Sequence, residues 1–152
     1  MRSVIQRVLR ARVTVEGDIV GEIPHGVMVL AAIHQDDTMS EVEWMAKKIP
    51  SLRIFPDEEG RMNRSLVDAG GSVLLVSQFT LYGDCRKGRR PSFIKSAHPE
   101  KAEPMVEDLA RLIAAEGVTV QMGRFGADME VELVNDGPVT LVLDTPTREV
   151  DR

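Results

Sequence analysis

The chain has 152 residues, 43% hydrophobic and 28% charged, with a net charge of −5. That profile suits one globular domain over residues 1–152 with a sizeable core, and it excludes repeats and low-complexity tracts. The single cysteine, Cys85, excludes an intrachain disulfide. The longest apolar run, residues 27–33, falls far short of the roughly 20 residues of a membrane helix. Four arginines interleave with valines in the first 17 residues, leaving no apolar core for a signal peptide, so the sequence reads as cytoplasmic.

In chain order, residues 3–9, 11–15 and 19–23 read as an opening meander, with Glu16-Gly17-Asp18 as a turn. Residues 27–33 form a continuous apolar run after Gly26, the mark of a strand covered on both faces. Thr38 and Glu41 match a capping box, and Val42, Met45, Ile49 and Leu52 share one face of the helix that follows, which Pro50 ends or kinks near Ile49. Residues 53–55 suggest a short strand. Gly70-Gly71 breaks the chain before a second buried strand at 73–76. Pro99 suits the first turn of another helix, with Met105, Leu109, Leu112 and Ile113 as its apolar stripe and Gly117 as its stop. Strands at 118–122, 129–134 and 139–143 complete the set. The implied class is α/β: a single-domain layered sandwich of mixed β-sheets with two main helices packed outside.

The expected links to chemistry are few. His25, His34 and His98 are isolated, without the spacing of a zinc site, so no metal is expected, and no phosphate-binding glycine pattern occurs. Ser77 and Thr80 follow a buried strand, where side chains emerge to meet ligands, but they serve equally as hydrogen-bonding caps of the strand end. Cys85 has cationic neighbours that would lower a thiol pKa, yet it lacks a histidine partner. Arg86, Lys87, Arg89 and Arg90, grouped around Gly88, could hold a few phosphates or simply form a solvated loop. Asn135-Asp136-Gly137 is turn chemistry, and Pro138 has no N–H to give a ladder. Residues 135–138 therefore leave open a hairpin turn or a functional Gly-Pro pair with a cis bond.

Several stretches together carry a resemblance. SQFTLYGD at 77–84, RRPSF at 89–93 and NDGPVT at 135–140 are similar to the motifs of the D-aminoacyl-tRNA deacylase family, formerly the D-tyrosyl-tRNA deacylases. IQRV at 5–8, VTVEG at 13–17, RIFPDEEGRMN at 53–63, AGGSVLLVSQFTL at 69–81 and GRFGADM at 123–129 extend the likeness over nearly the whole chain. The resemblance implies a homodimer, without metal or cofactor, that hydrolyses the ester of D-aminoacyl-tRNA and of glycyl-tRNA mischarged on tRNA-Ala. It implies that Gly137 and Pro138, joined by a cis bond, enter the partner's site as a filter against L-amino acids, with Arg7 as their brace. Ser77, Gln78, Phe79 and Thr80 would line the ester pocket, the backbone N–H groups near Phe79 and Thr80 holding the oxyanion. Phe125 and Met129 would wall the adenosine or aminoacyl group, or serve as core. Water attack assisted by the ribose hydroxyl is the implied mechanism. The alternatives are a tRNA-binding module without catalysis and an esterase that depends on Thr80 or Ser77.

Overall fold

The computed structural model describes residues 1–146; the last six positions of the expected 1–152 domain lie outside the described residues. Its organising element is β1, Arg2–Val15, one continuous strand where the sequence suggests two runs. The change of face comes near Leu9 and Arg10. Ile5 and Arg7 are buried on one side of the strand, then Leu9 and Arg10 both face solvent, and Ala11, Val13 and Val15 are buried beyond them.

One edge of β1 carries two shorter strands end to end. Glu16 and Gly17, both at positive φ, turn the chain into β2, Asp18–Ile23, and β3, Gly26–Ala32, continues the return. β1 pairs antiparallel with β3 from Arg2 opposite Ala32 to Val8 opposite Gly26, and with β2 from Ala11 opposite Ile23 to Val15 opposite Asp18. The apolar run at 27–33 is buried on both faces, as expected, because a parallel strand extends the sheet beside it.

The first crossover holds α1, Met39–Ser51, the ribbon of β4, Phe55–Pro56, and β5, Met62–Arg64, and the short α2, Leu66–Ala69. The Glu41 carboxylate accepts from the Thr38 N–H at 2.6 Å and from its hydroxyl at 2.7 Å, a reciprocal capping arrangement. α1 runs two residues past Ile49, since a proline in the last turn removes one hydrogen bond and Leu52 N–H still reaches Lys48 O at 3.1 Å.

β6, Ser72–Ser77, lies parallel to β3, and a 3-10 helix follows over Phe79–Tyr82. Next comes α3, Pro99–Ala115, with Pro99 at its start as expected, then β7, Val120–Met122, parallel to β6. The stripe of α3 is confirmed in Leu109 and Ile113, both fully buried and each contributing about 1.5–3 kcal/mol.

The final strand corrects the sequence reading. Residues 130–144 form one 15-residue strand, β8, antiparallel to β1 on both sides of the Gly-Pro pair, so residues 135–138 make no hairpin. Thr140 sits opposite Gln6 and Asn135 opposite Val8, leaving residues 136–139 against Arg7 alone. The turn residues form a bulge inside a continuous strand, and the Gly137–Pro138 bond is cis.

The sheet order is β2-β1-β3-β6-β7, with β8 on the other edge of β1. It curls until β2 approaches β7, so the expected layers are two parts of one nearly closed sheet. Val8, Val13, Ile23, Met28, Leu74 and Val76 fill the curl. On the outer face, α1 and α3 bury Val42, Met45, Leu109 and Ile113 against Val29, Val73 and Leu75. Among the described residues, no helix is long and apolar enough to cross a membrane.

Closure depends on a missing side chain. A Cβ at Gly21 would stand 2.4 Å from the Met122 carbonyl oxygen and 3.1 Å from Leu74 Cδ1. Backbone atoms of a paired strand cannot yield as a flexible side chain would. Gly21→Ala is therefore expected to cost about 1–3 kcal/mol of stability, read as a fall in the urea midpoint at constant slope.

Candidate active site

The C-terminal end of β6 opens into a groove of about 800 Å³. Ser77, Gln78 and Phe79 line it, together with Phe125 and Met129. Five of the nine residues singled out in the sequence thus meet in one place. They meet because β6 ends where the 3-10 helix starts, while the 123–129 segment returns between β7 and β8. Ala127 N–H bonds Arg124 O at 3.2 Å, a turn that presents Phe125 and Met129 to the groove.

Thr80 stands beside the groove without lining it, and its hydroxyl accepts a hydrogen bond from the Gln78 side-chain amide. The N–H groups at the start of a 3-10 helix have no carbonyl to bond within it, so those of Phe79 and Thr80 are suited to an incoming oxygen. Phe79 is 53% exposed, and its ring meets that of Phe93 edge-to-face at 5.3 Å.

Several residues that hold this corner gave no signal in the sequence. The Ser96 hydroxyl donates to Phe79 O at 2.9 Å, and Ser96 also lines the groove with Phe93, Ile94, His98 and Asp128. Arg2 Nη1 donates to Leu81 O at 3.1 Å, its Nε donates to Asp144 Oδ1 at 2.8 Å, and its guanidinium lies 5.1 Å from the centre of the Tyr82 ring. The 3-10 helix is thereby tied to the end of the long strand pair where β1 starts and β8 finishes.

Gly137, Pro138 and Arg7 lie elsewhere. Ser77 is level with Ala31, Ser3 and Leu143 across the sheet. The bulge sits about five residues farther along β8, roughly 15 Å, and three strands across, roughly 14 Å more, so the two places are on the order of 20 Å apart. Around the bulge, Arg7 Nη1 donates to Ile54 O at 2.7 Å and Nε to Asp136 O at 3.1 Å, with Asp136 Oδ2 at 3.3 Å. Arg7 is 9% exposed, and these acceptors are what such a buried cation requires. The Asn135 amide donates to Arg7 O and to Val139 O, both at 3.0 Å, which satisfies carbonyls the interrupted ladder leaves open. Gly137 has φ +135°, and a Cβ there would press on Val139 N at 2.9 Å and Arg7 Nη2 at 3.2 Å.

A family profile described as D-Tyr-tRNA(Tyr) deacylase matches residues 4–144. The chain belongs to that family. A relative from Brevibacillus brevis, named D-aminoacyl-tRNA deacylase, is 57% identical over 145 residues, covering 95% of this chain and 100% of its own. One of the same name from Thermus aquaticus is 53% identical over 152 residues and covers both chains in full. Among solved structures, one titled c-Myc DNA Unwinding Element Binding Protein superposes with a TM-score of 0.90 at 39% identity, covering 97% of this chain and all of its own. A probable eukaryotic D-amino acid tRNA deacylase superposes with a TM-score of 0.82 at 20% identity, covering 95% and 98%, and shares the fold. These matches span the strand end, the 3-10 helix and the bulge alike.

Among the described residues, no cluster of three or more His, Cys, Asp or Glu side chains could hold a metal ion. The electrostatics beside the groove centre on Tyr82, whose ring meets His34 edge-to-face at 5.2 Å. Burial, reinforced by the negative charge of Asp37, pushes the phenol well above its ordinary value near 10. The unfolded chain loses this proton near pH 10 while the folded protein keeps it, so stability falls as pH rises above about 10. Tyr82 is the chain's one tyrosine. Tyrosinate absorbance is expected to stay flat through pH 11 and to rise only with unfolding; a transition near pH 10 in folded protein would contradict this.

Proposed function

We propose that this chain hydrolyses the ester joining a D-amino acid to the terminal ribose of tRNA, and acts likewise on glycine mischarged on tRNA-Ala. The observation that carries the reading is that the family relationship runs the length of the chain while its strand-end motif, residues 77–79, opens onto the groove. Water attacks the ester carbonyl carbon, and the N–H groups of Phe79 and Thr80 hold the resulting oxyanion. Collapse of that intermediate breaks the carbon–oxygen bond to the ribose, whose oxygen takes a proton. The neighbouring ribose hydroxyl orients the water, and Phe125 and Met129 flank the adenosine. No metal or cofactor enters the scheme.

The chiral filter is assigned to Gly137 and Pro138 of a second copy. Two observations favour a homodimer. The groove and bulge of one chain are too far apart to act together, and among the described residues β8 pairs with β1 alone, which leaves its other edge open, with Val142 on this strand 63% exposed. Arg7, holding Asp136 O and Ile54 O, braces the dipeptide so that its carbonyls meet an L-side chain as a fixed wall. A D-residue directs its side chain away, and glycine has none to reject.

A second reading makes Thr80 or Ser77 the nucleophile of an esterase. Thr80's hydroxyl is engaged by Gln78 and lies off the groove lining, which favours the RNA-assisted route. The third reading, a tRNA-binding module without catalysis, is tested by the same assay.

Two outcomes check this. Deacylation of D-Tyr-tRNA is expected to exceed that of L-Tyr-tRNA by orders of magnitude; equal rates, or none on either, would sink the proposal. Thr80→Ala should keep kcat within about tenfold of the parent. Loss of a true nucleophile costs roughly 10⁴-fold or more, so a fall of that size would restore the covalent route.

A further inference from the structure

The groove accounts for one nucleotide and its ester, but the surface leading into it carries a charge pattern that the ester chemistry does not use. Residues 85–91 form a loop closed at its base by Asp84 and Ser92. Asp84 N–H donates to Ser92 O at 2.8 Å, and Ser92 N–H donates to Asp84 O at 2.9 Å. The Asp84 carboxylate accepts from Arg86 three times: from N–H at 3.0 Å, Nε at 2.9 Å and Nη2 at 2.7 Å. Those bonds hold the carboxyl far below its ordinary range. One cation is thereby neutralised and made part of the loop's frame.

The other three are not. Among the described residues, Lys87, Arg89 and Arg90 have no ion pair, and all are exposed. Three unneutralised cations within four positions are unexpected on a chain of net charge −5, where nearby carboxylates would have cost little to supply. The loop then runs directly into Phe93 and Ile94, which line the groove and are 37% and 79% exposed. Phe79 stands edge-on to Phe93. Cations that run directly into exposed rings lining a groove are the pairing that binds single-stranded nucleic acid: phosphates go to the cations and base faces to the rings.

We propose that residues 87–90, with Phe93 and Ile94, form a subsite for the unpaired 3′ strand of tRNA just upstream of the ester-bearing nucleotide. The proposal rests on the deacylase reading, because an ester at the strand's end, bound over Ser77, obliges the preceding nucleotides to leave across this rim. Arg90 is three residues from Phe93, so loop and ring lie within about 10 Å of chain, close enough to hold consecutive nucleotides. The occupant is single-stranded because a groove of about 800 Å³ has room for a nucleotide or two and not for a duplex. Binding is set by charge on the phosphates and by stacking, with no base edge read.

The test is a charge-neutral triple variant, Lys87→Gln, Arg89→Gln and Arg90→Gln, titrated with uncharged tRNA by fluorescence anisotropy over a range of salt concentrations. A second tRNA lacks its unpaired 3′ nucleotides. Thermal unfolding of the variant serves as the folding control. The intact tRNA is expected to bind the variant at least tenfold more weakly near 0.1 M salt. The slope of log K against log salt should be shallower by about 2, since three single-strand phosphate contacts release roughly 0.7 counterion each. On the truncated tRNA the two proteins should bind alike. Unchanged affinity and slope would overturn the proposal. So would an equal deficit on the truncated tRNA, because the cations would then be gripping the duplex. The binding measurements need no ester cleavage, so failure of the D and L assay and failure of this subsite are told apart.

Discussion

The structure depends on the length of β1. Fourteen residues in one strand give a single edge on which β2 and β3 both pair, and an opposite edge that β8 follows almost throughout. A strand this long must twist, and its right-handed coil carries β2 out of the plane shared by β3 and β6. The sheet therefore closes toward β7 in place of lying open, and Gly21 gives the closing edges room to touch. The same twist separates two cores, one inside the curl and one beneath α1 and α3.

This arrangement places one half of the family motif at an end of the pair formed by β1 and β8 and the other at its middle. The strand-end residue Ser77 is level with the start of β1, whereas the bulge lies near its middle, opposite Arg7. Arg7 is the residue β1 opposes to four residues of β8, and its buried guanidinium fills the space the ladder vacates. On the proposed reading, two copies make one chemical unit: one supplies the groove and the other the wall. The groove's lining joins the hydroxyls of Ser77 and Ser96, the Gln78 amide and several rings, with His98 and Asp128 as its titratable side chains. On the proposed reading the RNA's own hydroxyl assists the attack beside them.

Much of the fold was legible because its signals are local. Thr38 with Glu41 and Pro99 at a helix start act within one turn, and the runs at 27–33 and 73–76 announce strands buried on both faces. The site was legible in part for the same reason, since Ser77, Gln78 and Phe79 directly follow such a strand. What was hidden depends on contacts between distant residues. Residues 135–138 have the composition of a reversal, and only the register with β1 on both sides shows that the chain runs on. Ser96 and Arg2 look like ordinary surface residues, because their work is to hold carbonyls 17 and 79 positions away. Thr80 follows Phe79 in the motif, and the bond its hydroxyl accepts from the Gln78 amide could not be read from the order of residues.

Arg2 gives the molecule a property no single contact has. One guanidinium joins the carbonyl of Leu81, the carboxylate of Asp144 and the ring of Tyr82, so the helix under the groove and the last residues of β8 share a fastening. Removing that guanidinium would loosen both at once, so the order of the 3-10 helix and the order of the strand end rest on one side chain.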